Sequence, residues 1–438
     1  LTGPLAGRLR DALAGSPLAA RLAHAAAPLL EQRAGDAAAR RLDGPALAGL
    51  ARAVASQPDL AGFLSHRPAL LERIADAGSE TLEQEARTLE ARAVQDPADD
   101  LEGELDALRL LRREQTVLAV CCDLGGLAPF ERVSAFLSIL AETITARALR
   151  LARREPAAAG QAFAVIGMGK IAGREFTYHS DLDLIFLYAG GPEEVAAASR
   201  IGQRLIAYLT TLTGAGVAYA VDTRLRPSGQ KGMLVTSFDG FARYQRERAE
   251  TWEHLALLRA RPIAGEASLA GDVLAAVRRE TLRGGAKPWP YLSDLRARVE
   301  RERAKEGPAR LAFKTGPGGL MDVDFIAGGG LLERGVRDFP VFPSVAAMLA
   351  CTLPEARTRQ LRADYGVLRL VEARVRWVAG RAVEELAVDG DGLAAIAELV
   401  EPGLAPDALL ARLRSVRGRI RAAYRAVVDA GTLDALPG

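Results

Sequence analysis

The chain has 438 residues, enough at roughly 150 per domain for two or three units that each bury a core, which excludes a disordered tail. With 57 Lys and Arg against 55 Asp and Glu, the net charge of +2 provides no global field toward nucleic acid or a membrane surface, so any anion site must be local. Hydrophobic residues make up 49% and aromatic ones only 5%, a bias toward Ala, Leu and Val that favours helices packed through small side chains. The N-terminal run LTGPLAGRLRDALAGS mixes acid and base into its apolar stretch, unlike a signal peptide, and a leading Leu in place of Met points to a fragment of something longer. Residues 1 to about 155 read as helix. Pro58 and Pro68 punctuate the first part, and DPADD (96–100) marks a joint. Beyond it Leu101, Leu105, Leu108 and Leu111 recur at helical spacing, and a second helix starting at Phe130 ends in a basic turn. Cys121, Cys122 and Cys351 form neither a disulfide framework nor a zinc spacing, and no apolar run reaches the ~18 residues of a membrane span. A reducing cytoplasm is the expected location.

At Gln161 the period changes. AFAVIGMG and LDLIFLY (182–188) read as strands flanking a short turn or helix, followed by a helix from about Val195 to Leu212 and the turn GAG. VAYAVDTRLRP then alternates like a third strand until Pro227 stops it. From about Ser237 the pattern is helical to the end, broken at PWPY (288–291) and closing with ARLRSVRGRIRAAYRAVV. The expected class is α+β, predominantly helical, with a small α/β module between helical regions.

The chemistry concentrates in GMGKIAGREFTYHSDLDLIFLY (167–188). Asp181 and Asp183, two apart at a strand start, project from one face. Like charges so close repel unless a cation lies between them, and hard oxygen donors of this kind suit Mg²⁺. If the strand ending at Asp222 pairs alongside, three acids converge, the minimum for a two-metal site. Gly167 and Gly169 allow backbone amides to approach a phosphate, with Lys170 adding a point charge, and Arg224 and Arg226 could neutralise a leaving pyrophosphate. Ser180 joins these five as a candidate nucleotide contact. The plain alternative for the acid pair is a solvated turn. Gly167, Gly169 and Ala172 also satisfy the dinucleotide pattern G-x-G-x-x-A, but the acids fall 12 and 14 residues after Gly169, before the second strand, where that motif needs a full helix. His179 and His254 lack companions at ligand spacing, and His179 reads as a turn residue. Trp252 reads as a core anchor, and Arg259 and Arg261 as solvated.

Glycines with a basic residue, then Asp-x-Asp on a strand and a later third Asp, resemble the DNA polymerase β-like nucleotidyltransferase superfamily. Within it, GMGKIAGREFTYHSDLDLIFLY, VDTRLRPSGQKGMLVTS, YQRERAETWEHLALLRARPIAG and FKTGPGGLMDVDFI resemble the glutamine synthetase adenylyltransferases. RLRPSG (224–229) and TWEH (251–254) resemble the C-terminal, adenylylating half of that family. The resemblance implies transfer of AMP from ATP to a glutamine synthetase tyrosine with release of pyrophosphate. Two Mg²⁺ held by Asp181, Asp183 and Asp222 would serve the α-phosphate and the attacking phenol. A PII-type signal protein is a further possible partner; nucleic acid and membrane are not. Phosphorolytic removal of AMP, or an inert binding scaffold, are the alternatives. The expected divisions are a helical region at 1–95, a helical subdomain at 96–157, the nucleotidyltransferase domain at 158–265 and a helical bundle at 266–438. Ala172, His179, Asp324 and Gly328 depart from the family pattern. Asp322 and Asp324 read as supporting or structural residues, and Gly328–Gly330, each costing a helix about 0.8–1 kcal/mol, are expected to break theirs.

Overall fold

Small apolar residues set how closely the opening helices approach. The computed structural model describes residues 4–25, 36–154, 160–336 and 338–437, and the 157/158 division therefore lies outside the described residues. Seven described helices, α1–α7, occupy residues 4–93, and the irregular stretch 96–100 leads into α8 (Leu101–Leu124) and α9 (Phe130–Ala152). α4 (Gly44–Ser56) lies directly on α8 through glycine: a Cβ at Gly49 would stand 2.0 Å from the Cys121 carbonyl oxygen. Cys121 and Cys122 are buried in this packing, small apolar residues of a helix contact.

A mixed sheet follows, built from β1 (Phe163–Met168), β2 (Leu182–Tyr188), α10 (Val195–Thr210), β3 (Val221–Asp222), β4 (Val235–Ser237), α11 (Phe238–Glu247), α12 (Thr251–Leu257) and β5 (Ala260–Gly265). The strand order is β3-β2-β1-β5, with β4 also pairing β2. β1 runs antiparallel to β2 and β5, whereas β3 and β4 are parallel to β2. The antiparallel β1–β2 connection through turns, with no crossover helix, disposes of the dinucleotide pattern on topology as well as on spacing.

Two strands differ from expectation. The strand read over VAYAVDTRLRP is ordered as β-structure only at Val221–Asp222, because Thr223 to Gly229 curl into turns that Pro227 and the positive φ of Ser228 (62°) and Gly229 (57°) require. β5 lies where helix was expected. Its Pro262 disguises it, and a register shift in β1 between Val165 and Ile166 accommodates the pairing.

The remaining chain forms α13 (Ala267–Thr281), α14 (Trp289–Arg303), β6 (Arg310–Leu311), α15 (Leu320–Arg334), α16 (Val345–Thr352), α17 (Glu355–Ala379), β7 (Leu386–Ala387), α18 (Asp391–Val400) and α19 (Pro406–Ala430), with β6 and β7 paired antiparallel. α15 is not broken at Gly328–Gly330. A Cβ at these positions would reach Leu255 at 2.3 Å, Trp289 at 2.7 Å and Leu433 at 2.7 Å, so the glycines admit neighbours on three sides of a continuous helix. One apolar core runs from Leu5 through α8 and α9 onto a face of the sheet, a second lies among α14–α19, and a third lies between the sheet, α11 and α13. α17 joins the first two, giving Ala373 and Trp377 to one and Leu368, Val371 and Val375 to the other. Among the described residues no helix is long and apolar enough to cross a membrane.

Candidate active site

The end of β2 nearest the glycine turn collects negative charge. Asp181 precedes the strand and is exposed, and Asp183 is its second residue and half-buried. In the parallel pairing of β2 with β3, Leu182 stands opposite Val221 and Asp183 opposite Asp222, so the two carboxylates rise side by side from one face. Burial, reinforced by the charges of Asp222 and Asp181 and only partly relieved by Lys314 and Lys170, pushes the Asp183 carboxyl up to about 6. Burial would raise Asp222 too, but its carboxylate accepts the Arg224 backbone N–H at 2.8 Å and Nε at 2.7 Å, and these bonds hold it below the usual carboxylate range.

Arg224 thus closes a chelate on Asp222. As the side chains stand, no group of three or more His, Cys, Asp and Glu among the described residues is gathered closely enough to hold a metal ion. The adjacent pair Asp183 and Asp222 nevertheless fits Mg²⁺, which commonly takes one or two protein carboxylates and completes its shell with water and phosphate oxygens.

Most of the expected nucleotide contacts have other partners. Gly169 takes the left-handed backbone (φ 61°), and a Cβ there would approach Asp183 Oδ2 at 3.7 Å, but its N–H already donates to the Arg259 carbonyl at 2.7 Å. Gly167 is demanded by packing, since a Cβ would overlap Ile171 and Ile263 at 2.8 and 2.9 Å. Lys170 turns inward onto the fully buried Glu372 of α17, where burial, with Arg376, Arg369 and Lys314, outweighs that carboxylate and brings the ammonium down to about 7. Glu372 is held far below the usual carboxylate range: burial opposes its charge, and Lys170, Arg369 and Arg376 together prevail. Ser180 Oγ accepts from Arg376 Nη1 at 3.1 Å, and Arg226 donates to the Thr223 carbonyl and Oγ1 at 2.8 Å, so both hold backbone turns in place. Of the expected cations only Arg224, with its side chain 67% exposed, remains at the acids.

Other residues complete the walls. Arg259 and Arg261 are not solvated: Arg259 binds Glu175 and Asp324, and Arg261 binds Glu142 and the Ala172 carbonyl, tying the turn after Lys170 to β5. Asp324 thus supports the turn, and Asp322 serves a different loop. Trp252 is half-buried with its indole donating to Glu250; the buried member of TWEH is Glu253, which closes a capping box on α12 and accepts the Tyr244 hydroxyl at 2.8 Å. His179 is a turn residue (φ 54°) stacked on Trp377, and burial with Arg112 and Arg376 lowers it to about 4. Glu372, Arg369, Arg376, Lys314 and Glu384 were not singled out from sequence. Their only signals were the rarity of Lys in an Arg-rich chain and the presence of Lys314 within FKTGPGG.

With this geometry in view, residues 47–276 match the family model described as glutamate-ammonia ligase adenylyltransferase, and residues 293–428 match that of the GlnD PII-uridylyltransferase. Three relatives carry the name bifunctional glutamine synthetase adenylyltransferase/adenylyl-removing enzyme. That of Thioalkalivibrio sulfidiphilus is 35% identical over 64% of this chain and 32% of its own length. That of Nitrosococcus oceani is 37% identical over 66% of the chain and 33% of its own. In Xanthomonas campestris pv. campestris the identity is 41% over 50% of the chain and 24% of the relative. The chain thus spans a third or less of the curated relatives it matches. The first match covers more than half of the chain, and its acids lie side by side within that match: the chain belongs to the glutamate-ammonia ligase adenylyltransferase family.

Proposed function

We propose that this chain moves AMP from ATP to a tyrosine of glutamine synthetase, releasing pyrophosphate. The observation that carries the reading is the parallel register setting Asp222 beside Asp183, with Asp181 two residues before it, in a chain of this family. Asp181, Asp183 and Asp222 would hold Mg²⁺, two ions in this reading, which when bound supplies the charge that polarises an α-phosphate. Gly169 keeps the space beside Asp183 clear of a side chain. The acceptor tyrosine approaches at Asp222 on the sheet edge; a phenol starts near pKa ~10, so the carboxylate edge must help take its proton. Arg224 is exposed enough to exchange Asp222 for the departing pyrophosphate. Gly167, Lys170, Ser180 and Arg226 shape the walls. In this reading a PII-type signal protein would act through residues 293–428, a location supported by the second family match.

The test is to incubate the chain with unmodified and with adenylylated glutamine synthetase, supplying ATP or phosphate, and to follow AMP on the protein by intact mass. Gain of AMP from ATP is the expected result. Phosphate-dependent loss of AMP without any gain assigns the chain to removal, the other activity in its relatives' names; no change in either form leaves a binding role.

A further inference from the structure

The run FKTGPGG (313–319) lies outside residues 47–276, and the reading above gives its side chains no part in the chemistry. Its backbone is closely held. Phe313 is fully buried, Gly316 N donates to the Ala312 carbonyl at 3.0 Å, and Leu320 N donates to that of Phe313 at 2.9 Å. Met321 N reaches the Lys314 carbonyl at 3.1 Å. Charged side chains clamp the same turn. Asp322, 0% exposed, accepts Gly318 N at 2.9 Å and binds Arg296 and Arg421; Arg296 donates to the Gly316 carbonyl at 2.8 Å, and Arg417, paired with Glu306, donates to that of Pro317 at 3.0 Å. A Cβ at Gly318 would stand 2.0 Å from the Arg417 carbonyl oxygen, so the turn sits flush on α19.

What this seat presents is Lys314. Phe313 and Thr315 face inward, and Lys314 is the turn's only charged side chain, 35% exposed and paired with Glu384, itself 46% exposed. The pair lies at the acid edge: Arg376 donates to the carbonyl of Val383, the residue before Glu384, at 3.1 Å and to Oγ of Ser180, the residue before Asp181, at 3.1 Å, and the Lys314 charge acts on Asp183 accordingly. A partly exposed ion pair of this kind is weak and readily exchanged. Lys170 is taken by Glu372 and Arg226 by its own turn, whereas Lys314 and Arg224 are exposed enough to meet an incoming polyanion. A rigid backbone carrying one movable ammonium suits a phosphate held by a point charge.

We propose that Lys314 is a triphosphate-binding residue: its ammonium leaves Glu384 for the phosphates of a bound nucleoside triphosphate, and Glu384 holds it when the site is empty. The inference rests on the nucleotidyl-transfer reading above. It is tested by titration calorimetry of the full chain and of Lys314→Gln, Lys314→Arg and Glu384→Gln with Mg-ATP and with AMP. Lys314→Gln is expected to weaken Mg-ATP about tenfold or more, the size of a charged hydrogen bond, while AMP, lacking the outer phosphates, changes little. Lys314→Arg should restore part of the loss. Glu384→Gln, which removes only the competitor, should leave Mg-ATP binding unchanged or tighter. If the pair merely braces the surface, Lys314→Gln and Glu384→Gln remove the same interaction and shift Mg-ATP equally, which overturns the inference. Mg-ATP bound alike by the parent chain and Lys314→Gln overturns it too, and leaves the nucleotide reading standing. No Mg-ATP binding by the parent chain defeats both.

Discussion

Two of the chain's three Asp-x-Asp triplets have opposite character. Asp183 is the second residue of β2 and Asp181 immediately precedes that strand, and the neighbouring strand sets Asp222 beside Asp183. Asp322 and Asp324 lie in the first turns of α15, where two residues are more than half a turn apart. They diverge accordingly: Asp322 goes to Arg296, Arg421 and Gly318 N, and Asp324 to Arg259. The first pair is crowded by its own sign, and each member of the second is paired with arginine. Buried charge that is fully paired does structural work, whereas like charge held together without enough counter-charge is an arrangement a fold keeps for a ligand.

The largest contrast should appear in activity. Asp183→Asn and Asp181→Asn are each expected to lower AMP transfer on the order of a thousandfold, several kcal/mol of electrostatic stabilisation, while leaving the melting curve at neutral pH unchanged or raised. Labelled-AMP incorporation beside thermal unfolding checks both halves, and near-normal transfer by either variant would break the comparison.

Asp322→Asn is the mirror experiment. It leaves Arg296 buried without its counter-charge and should cost about 3 kcal/mol or more of stability, read as a drop in the urea midpoint.

A third test uses pH. The Asp183 carboxyl is raised in the fold to about 6, against ~3.9 unfolded, so the folded chain binds this proton more tightly. Its contribution is fully present below about pH 4 and is lost as pH rises through about 6, roughly 3 kcal/mol in all. The difference in stability between the parent chain and Asp183→Asn should therefore grow across that window, and a flat difference would show that the carboxyl is not crowded.

The smallest effect belongs to the packing around α15. Gly329→Ala gains about 1 kcal/mol of helix propensity but drives a methyl into the buried Trp289 ring at 2.7 Å, and a net loss of about 1 kcal/mol is expected in the same urea assay.

Local pattern was enough for the elements whose burial follows a single period. The long helices α8, α9 and α19 and the strands β1 and β2 are readable from apolar spacing, because each depends on residues a few positions apart. The family resemblance was legible in the same way, from motifs in order. What no period encodes is pairing at a distance. β5 falls within a stretch that reads as helix and is a strand only because β1 offers it an edge. Lys170 reads as a free phosphate ligand until α17, 202 residues later, supplies Glu372, and Arg259 and Arg261 read as solvated until Glu175, Asp324 and Glu142 surround them. An exposed cation and a buried paired one look the same in sequence, since the chain records the charge but not the counter-charge, which arrives only when remote segments pack together.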